Sequence, residues 1–349
     1  MPADRPDTVT PSPERSAAGT AVAVAVAHPN IALIKYWGKR DERLVLPWTD
    51  SLSMTLDIFP TTTSVRLAAG DGDDTVTLDG APAEGEALRR VRAFLALVRD
   101  RSGIRRRAVV ESANTAPTGA GLASSASGFA ALALAAAGAY GLDLDATALS
   151  RLARRGSGSA ARSVFGGFAV WHAGTATGTD ESSYAAPVPV GEGLDPALVV
   201  AVVDAGPKAV SSRAAMRRTV DTSPLYRSWA ASSRTDLVDL RAALARGDLE
   251  AVGEIAERNA FGMHAAMLAA RPAVRYLSPA TFTVLDGVLR LRREGTAAYA
   301  TMDAGPNVKV LCRRADAGRV AAAVREAAAG ARVHIAGPGP GARLLDEDR

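Results

Sequence analysis

The stretch His28-Pro-Asn-Ile-Ala-Leu-Ile-Lys-Tyr-Trp-Gly38, followed at once by Lys39 and Arg40, sets Asn30, Lys35, Tyr36 and Lys39 within ten positions of one another beside a short apolar run. Cations and donors at the end of a buried strand form an anion site. Lysines more often sit on solvated faces, so a plain surface reading stands until other parts of the chain agree. Pro117-Thr-Gly-Ala-Gly-Leu-Ala-Ser-Ser-Ala-Ser127 leads flexible glycines into a helix start, where free N–H groups and the helix dipole attract phosphate. It is not a Walker A loop, because no Gly-Lys-Ser/Thr closes it, and not a dinucleotide fingerprint, because Ser124 stands at the last glycine position. A plainly capped helix is the alternative.

Arg162 follows Ser157 and Ser159 in Gly156-Ser-Gly-Ser-Ala-Ala-Arg-Ser163. Small residues around an arginine suit a bidentate grip on carboxylate or phosphate, whereas an ordinary solvent-facing arginine has no need of them. Ser211, Ser212 and Arg213, shortly after Lys208, stand near a helix start and read equally as an anion site or an N-cap. Asp303 ends an apolar run before Ala-Gly-Pro-Asn307 and is either a turn former or a carboxylate lifted into a cleft. The four histidines, His28, His172, His264 and His334, have no metal spacing.

The elements that must position these groups alternate in type, which argues for a mixed α and β architecture. Besides Ile31 to Ile34, strands are expected at 21–27, 52–59, 62–68, 74–78, 108–111, 198–204, 297–302, 307–312 and 331–336, and one near 165–171 entered through a glycine turn. Helices are expected at 85–101, where Leu88, Val91, Leu95 and Val98 recur at helical spacing. Others fall at 128–141, 145–155, 211–219, 225–246, 248–270, 281–294 and 316–329. Ser124, Ser125 and Ser127 are candidate caps for the alanine-rich helix. Residues 174–196 read as a hairpin loop and linker, giving a loose tail over 1–20, a first domain over 21–195 and a second over 196–349.

Composition narrows the function. Apolar residues make up 48% and charged residues 22% of 349, ordinary for a globular chain. The net charge of +4 is spread out, and Arg105 to Arg107 have no aromatic partners, which argues against a nucleic-acid track. Cys312 is alone, so neither an intrachain disulfide nor a cysteine metal cage forms, and a reducing cytoplasm fits. No window is apolar enough for a membrane span.

Taken together, Asn30 to Asp41, Pro117 to Ala126, Gly156 to Ser163, Ser211 to Arg213 and Asp303 to Asn307 resemble the diphosphomevalonate decarboxylase family of the GHMP kinase superfamily, in the family's order over about 280 positions. The resemblance implies an α+β GHMP kinase fold: an N-terminal domain like ribosomal protein S5 domain 2, a C-terminal ferredoxin-like α/β sandwich, and the active site in the cleft between them. It implies ATP and Mg2+, with diphosphomevalonate phosphorylated on its 3-hydroxyl and then losing phosphate and carbon dioxide to give isopentenyl diphosphate. It assigns Asp303, Arg162, Asn30 and Lys35 to catalysis, with Asp303 orienting or deprotonating the hydroxyl and Arg162 holding the carboxylate. Tyr36, Lys39, Ser157, Ser159, Ser212 and Arg213 fall at diphosphate-binding positions. Ser112, Asn114, Pro117, Gly119, Gly121, Leu122, Ala123, Ser124 and Ser125 fall at nucleotide-binding ones. Metal ligands stay open, with the Ser124 or Ser125 hydroxyl as options. A homodimer is usual in the family, and neither nucleic acid nor membrane is an implied partner.

Trp48-Thr49-Asp50 departs from the family's pattern before Ser51, which leaves the mouth of the site in question. Three rivals follow: a paralogous enzyme acting on mevalonate, its 5-phosphate or a bisphosphate; a nucleotide-binding module without turnover; and an RNA-binding use of the S5-like domain, which lacks the basic and aromatic track it needs.

Overall fold

Thr61–Leu67 buries every second residue against helices and turns the others outward, the signature of a sheet with one covered face. The computed structural model describes residues 22–70, 72–116, 124–175, 178–204, 206 and 210–345. The expected tail and most of the glycine loop, Pro117, Gly119, Gly121, Leu122 and Ala123 included, lie outside the described residues, as does Lys208.

Thr61–Leu67 is central in a six-stranded sheet ordered Arg343–Leu345, Val22–Ala27, Thr61–Leu67, Ala108–Asn114, Thr75–Leu78 and Ala81–Pro82. The helices Gly85–Ser102, Ser124–Ala139 and Ala146–Gly156 contribute to one apolar core against it. In Ser124–Ala139 the alanines Ala130, Ala131, Ala133, Ala135 and Ala136 are fully buried, and their small side chains let the helix lie close on the strands. A second, four-stranded sheet runs Ala185–Pro187, Phe168–Trp171, Ser51–Thr55 and Asn30–Ile34.

The second half has a four-stranded antiparallel sheet ordered Ala298–Met302, Val308–Arg313, Pro196–Val202 and Arg332–Ala336. Pro279–Arg293 and Ala317–Ala327 cover one face through Val284, Val288, Val320 and Val324. The other face, with Leu198, Val200 and Leu311, joins Tyr226–Arg246, Leu249–Leu268 and the second sheet of the first half in one core. The two halves therefore share a continuous apolar interior, and the strand Asn30–Ile34 runs through it.

Several expectations need correction. The strand expected at 52–59 is Ser51–Thr55; beyond it Phe59 takes a left-handed φ of 57° and Leu56 bridges Pro338. The helix expected from 128 begins at Ser124, so Ser127 is inside it rather than a cap, and its hydroxyl pairs with that of Thr61 at 2.7 Å. The glycine-serine tract holds a short helix, Ala160–Ser163. The stretch 174–196 carries the edge strand Ala185–Pro187, too short and alanine-rich to announce itself. Arg343–Leu345, not foreseen, returns from the second half to close the edge of Val22–Ala27.

That return strand leads to a prediction. Gly339 N–H donates to Thr55 O and its carbonyl accepts from Gly167 N–H, at 2.8 and 2.9 Å. Truncation after Ala336 removes these bonds and the Arg343–Leu345 ladder. About five backbone hydrogen bonds at roughly 1 kcal/mol each set the expected loss. Thermal melts should show a lowered Tm and a new aggregation tendency from the bared edge; an unchanged melt excludes the strand as a stabiliser.

Candidate functional site

Lys35 leaves the end of Asn30–Ile34 with its backbone N–H fixed on Asn259 Oδ1 at 2.9 Å. Asn259 is itself held through Nδ2 by Ser233 Oγ and Asp236 Oδ2, so two helices of the second half set the chain direction there. The ammonium donates to Ala32 O at 2.8 Å and to Asp303 Oδ1 at 2.7 Å. Lys309, from the strand Val308–Arg313, lies 3.2 Å from Asp303 Oδ2. Both lysines are buried, at 1% and 2% side-chain exposure, whereas Asp303 keeps 29% and faces a cleft of about 800 Å³.

Arg162 reaches the same cleft from the short helix and is fully buried. Its guanidinium donates to Asn30 Oδ1 at 3.2 Å, Ser53 Oγ at 2.9 Å and Ser51 Oγ at 2.5 Å, all neutral acceptors. Asn30 is locked in turn, donating through Nδ2 to Ser159 O and Ser163 Oγ. A buried cation held only by neutral groups keeps its charge for a ligand.

Burial pushes the Asp303 carboxyl up, but the Lys35 and Lys309 ammoniums outweigh it and hold the group far below the usual carboxylate range. Burial draws Lys35 down to about 8, with Asp303 opposing and Lys309 and Arg162 adding to the fall. Burial lowers Arg162 to about 10 and His264 to about 4, so near neutrality the arginine is charged and the histidine is not. Three buried cations around one carboxylate leave a positive surplus, the field an anionic substrate requires.

Also lining the cleft, the Tyr36 hydroxyl is buried without a hydrogen-bond partner among the described residues, its ring set edge-on to Trp171 with centroids 4.7 Å apart. Burial raises this phenol, which remains a donor. A Cβ on Gly158 would stand 2.9 Å from that hydroxyl and 2.7 Å from Trp171, so only glycine lets the serine turn pass. Ser157 Oγ links Ser125 Oγ at 3.3 Å with Ser159 Oγ at 3.4 Å, joining the serine turn to the start of helix Ser124–Ala139. Lys39 pairs with Glu42 at 2.6 Å and Arg213 with Glu86 at 3.1 Å. Both carboxylates are well exposed, and such ion pairs exchange partners at little cost.

The cleft thus gathers Asn30, Lys35, Tyr36, Lys39, Asn114, Ser125, Ser157, Ser159, Arg162, Ser212, Arg213 and Asp303. Ser112 is not among the lining residues; its hydroxyl pairs with Thr63 at 2.8 Å within the sheet. Ser124 opens the helix. Asp50 turns from the cleft, accepting from Ala173 N–H at 2.8 Å and pairing with His172 at 3.3 Å, so it does not line the mouth. Sequence reasoning missed Ser51, Ser53, Asn259 and Lys309. Only Lys309 left a signal, a lysine between Val308 and Val310 in an apolar strand.

Two mixed α/β halves closing on a basic cleft define a GHMP-kinase-type two-domain fold. Residues 27–185 match the diphosphomevalonate decarboxylase-like N-terminal domain, and 198–335 the mevalonate 5-diphosphate decarboxylase C-terminal domain. The chain belongs to the diphosphomevalonate decarboxylase family.

It is 34% identical to human diphosphomevalonate decarboxylase over 83% of this chain and 76% of the human one. Mevalonate diphosphate decarboxylase from Staphylococcus aureus superposes with a TM-score of 0.90 at 38% identity, over 94% of this chain and 99% of that one. The protein MDDEF, solved in complex with MVAPP, AMPPCP and magnesium, gives 0.89 at 43% identity over 94% and 100%.

Proposed function

We propose that this chain converts (R)-5-diphosphomevalonate and ATP to isopentenyl diphosphate, ADP, phosphate and carbon dioxide, as a step of the mevalonate pathway. One observation carries the reading: buried Arg162, held by neutral groups alone, shares a cleft with a carboxylate that two lysines keep ionised.

The side chains divide the work. Asp303 presents its exposed edge to the 3-hydroxyl and accepts its hydrogen bond. A carboxylate so firmly ionised is a weak proton acceptor, and phosphoryl transfer through a loose transition state asks mainly for orientation and charge stabilisation. The oxygen attacks the γ-phosphorus of ATP and ADP leaves; as the new O–P bond forms, the hydroxyl becomes strongly acidic and passes its proton through Asp303 to solvent. Departure of phosphate then takes the carbon–oxygen bonding pair, and the carbon–carboxylate pair becomes the new double bond as carbon dioxide is lost. Arg162 holds that carboxylate in line with the departing phosphate, and Lys35 stabilises charge at the reacting centre. Tyr36, Lys39, Ser157, Ser159, Ser212 and Arg213 take the diphosphate, Lys39 and Arg213 by exchanging Glu42 and Glu86 for phosphate oxygens.

Asn114, Ser125 and the helix start at Ser124 form the nucleotide side. The helix N-terminus and the Ser125 hydroxyl suit a magnesium triphosphate, in which hard oxygens are the fitting ligands. Magnesium neutralises phosphate charge when bound. No group of three His, Cys, Asp or Glu side chains able to hold a metal occurs among the described residues.

The reading is tested by assaying the purified protein with ATP against mevalonate, its 5-phosphate and its 5-diphosphate, following carbon dioxide release. Turnover of the diphosphate alone is expected; preference for either other substrate overturns the assignment. The pH profile is a further prediction. Asp303 stays ionised throughout, while Lys35 loses its proton as pH rises through about 8. kcat/KM should fall along a basic limb near that pH, and the limb in kcat should lie higher because bound anions favour the ammonium. A flat kcat/KM profile to about pH 9.5 removes Lys35 from charge stabilisation.

The reading extends to a homodimer, supported by family resemblance and checked by light scattering. It also extends to a cytoplasmic location, in keeping with the single, buried Cys312. Among the described residues, no helix is long and apolar enough to cross a membrane.

A further inference from the structure

Asp303 is gripped from two sides. Lys35 comes from the first half of the chain and meets Oδ1 at 2.7 Å; Lys309 comes from a central strand of the second half and stands 3.2 Å from Oδ2. Lys309 sits opposite Val200 and Thr301 in the sheet, its side chain buried on the face shared by the two halves. A buried ammonium is a poor stabiliser, because desolvation consumes most of what its ion pair gains, and an apolar residue of similar volume commonly holds a fold as well. Lys35 alone already satisfies the carboxylate's charge. A second buried lysine, set among Val308, Val310 and Leu311, therefore calls for a role in the site.

We propose that Lys309 is a positioning residue for the reaction: with Lys35 it clamps both oxygens of Asp303, fixing the carboxylate plane so that one exposed edge meets the 3-hydroxyl. A carboxylate tied at one oxygen swings about its Cβ–Cγ bond; tied at both, it cannot. The clamp also ties the two halves to each other at the reacting centre, since neither half supplies both lysines. Lys309 acts through Asp303 and not on the substrate. The charged and titratable groups facing Asp303 are Lys35 after strand Asn30–Ile34, Lys309 on its own strand, Arg162 on the short helix and His264 on Leu249–Leu268. Lys309 is one of the two like charges that draw Lys35 downward.

This inference rests on the function proposed above, and the experiment separates the two. Wild-type protein is assayed first for carbon dioxide release from diphosphomevalonate; no turnover there overturns the functional reading. With wild type active, Lys309→Met is expected to lower kcat by about 10²-fold, the scale of a misplaced reacting group, with KM changed by less than about threefold and an unaltered melt. Removing a like charge near Lys35 raises that group, so the basic limb of kcat/KM should move above its wild-type position. Lys309→Arg, which keeps the charge, should recover most of kcat and return the limb. Wild-type kcat in Lys309→Met overturns the proposal, as does a loss of activity shared by kcat and KM together with a lowered melt, which marks a purely structural lysine. Should Lys309→Met fail to fold, Lys309→Leu, which likewise cannot bond Oδ2, carries the same readouts, and wild-type kcat in it overturns the proposal equally.

Discussion

Asp303→Ala lowers turnover by about 10³- to 10⁴-fold, at the upper end of what a positioned acid–base or orienting group contributes. The substrate hydroxyl loses the acceptor that aims it at the γ-phosphate. The Lys35 and Lys309 ammoniums lose the anion that held them in place. Most of the loss is expected in kcat, because the side chains proposed to grip the diphosphate are untouched. The fold should persist: Asp303 is the most exposed member of its cluster, and the shared core of Leu33, Leu52, Val200 and Leu311 does not involve it.

Stability should nevertheless fall. Lys35, Lys309 and Arg162 would face one another with no carboxylate among them, and breaking a buried pair costs about 3–5 kcal/mol when the remaining charge stays. Lys35 has an escape, since a lysine already drawn to about 8 gives up its proton near neutrality once its anion is gone. The melt should therefore drop less at pH 8.5 than at pH 6.5 relative to wild type. Carbon dioxide release, ATP consumption and thermal melting check these expectations together. Release at the wild-type rate removes Asp303 from the chemistry.

How much of this was legible in the sequence follows from what each signal depends on. Ser124–Ala139 and Gly85–Ser102 were readable because helical periodicity and alanine content are local properties. The edge strands Ala185–Pro187 and Arg343–Leu345 were not: each is three residues long and exists only because a longer strand offers an open edge. The site divides in the same way. Asn30, Arg162 and Asp303 stand in short stretches crowded with glycine and small polar residues, which mark them before any fold is known.

Ser51 and Ser53 carry no such mark. They are two serines in a strand, and only the pairing of Ser51–Thr55 with Phe168–Trp171 places them under Arg162. Asn259 is equally silent, an asparagine inside a long helix whose carbonyl oxygen reaches Lys35 across more than two hundred positions. Residues that bear charge for the substrate were visible; residues that hold those charges in place were not, because their partners are distant in the chain.

That division sets the last expectation. Arg162→Gln lowers carbon dioxide release by about 10²- to 10⁴-fold, since one charge-assisted contact is worth roughly 1.5–3 kcal/mol and the guanidinium offers two in parallel. Glutamine reaches less far and carries no charge, so the substrate carboxylate loses its anchor. Ser51, Ser53 and Asn30 lose a shared donor at the same time. The stability effect is opposed, because removing a buried cation from a cluster with a positive surplus relieves repulsion on Lys35. Arg162→Lys should not rescue activity, because an ammonium cannot span both serines and Asn30 while facing a carboxylate in a fixed plane. The diagnostic result is uncoupling: ATP consumption should fall less than carbon dioxide release, because the hydroxyl and Asp303 still meet while the carboxylate no longer lines up with the departing phosphate. Equal loss of both would place Arg162 in the phosphoryl transfer itself, and wild-type release of carbon dioxide would remove the carboxylate from its grasp.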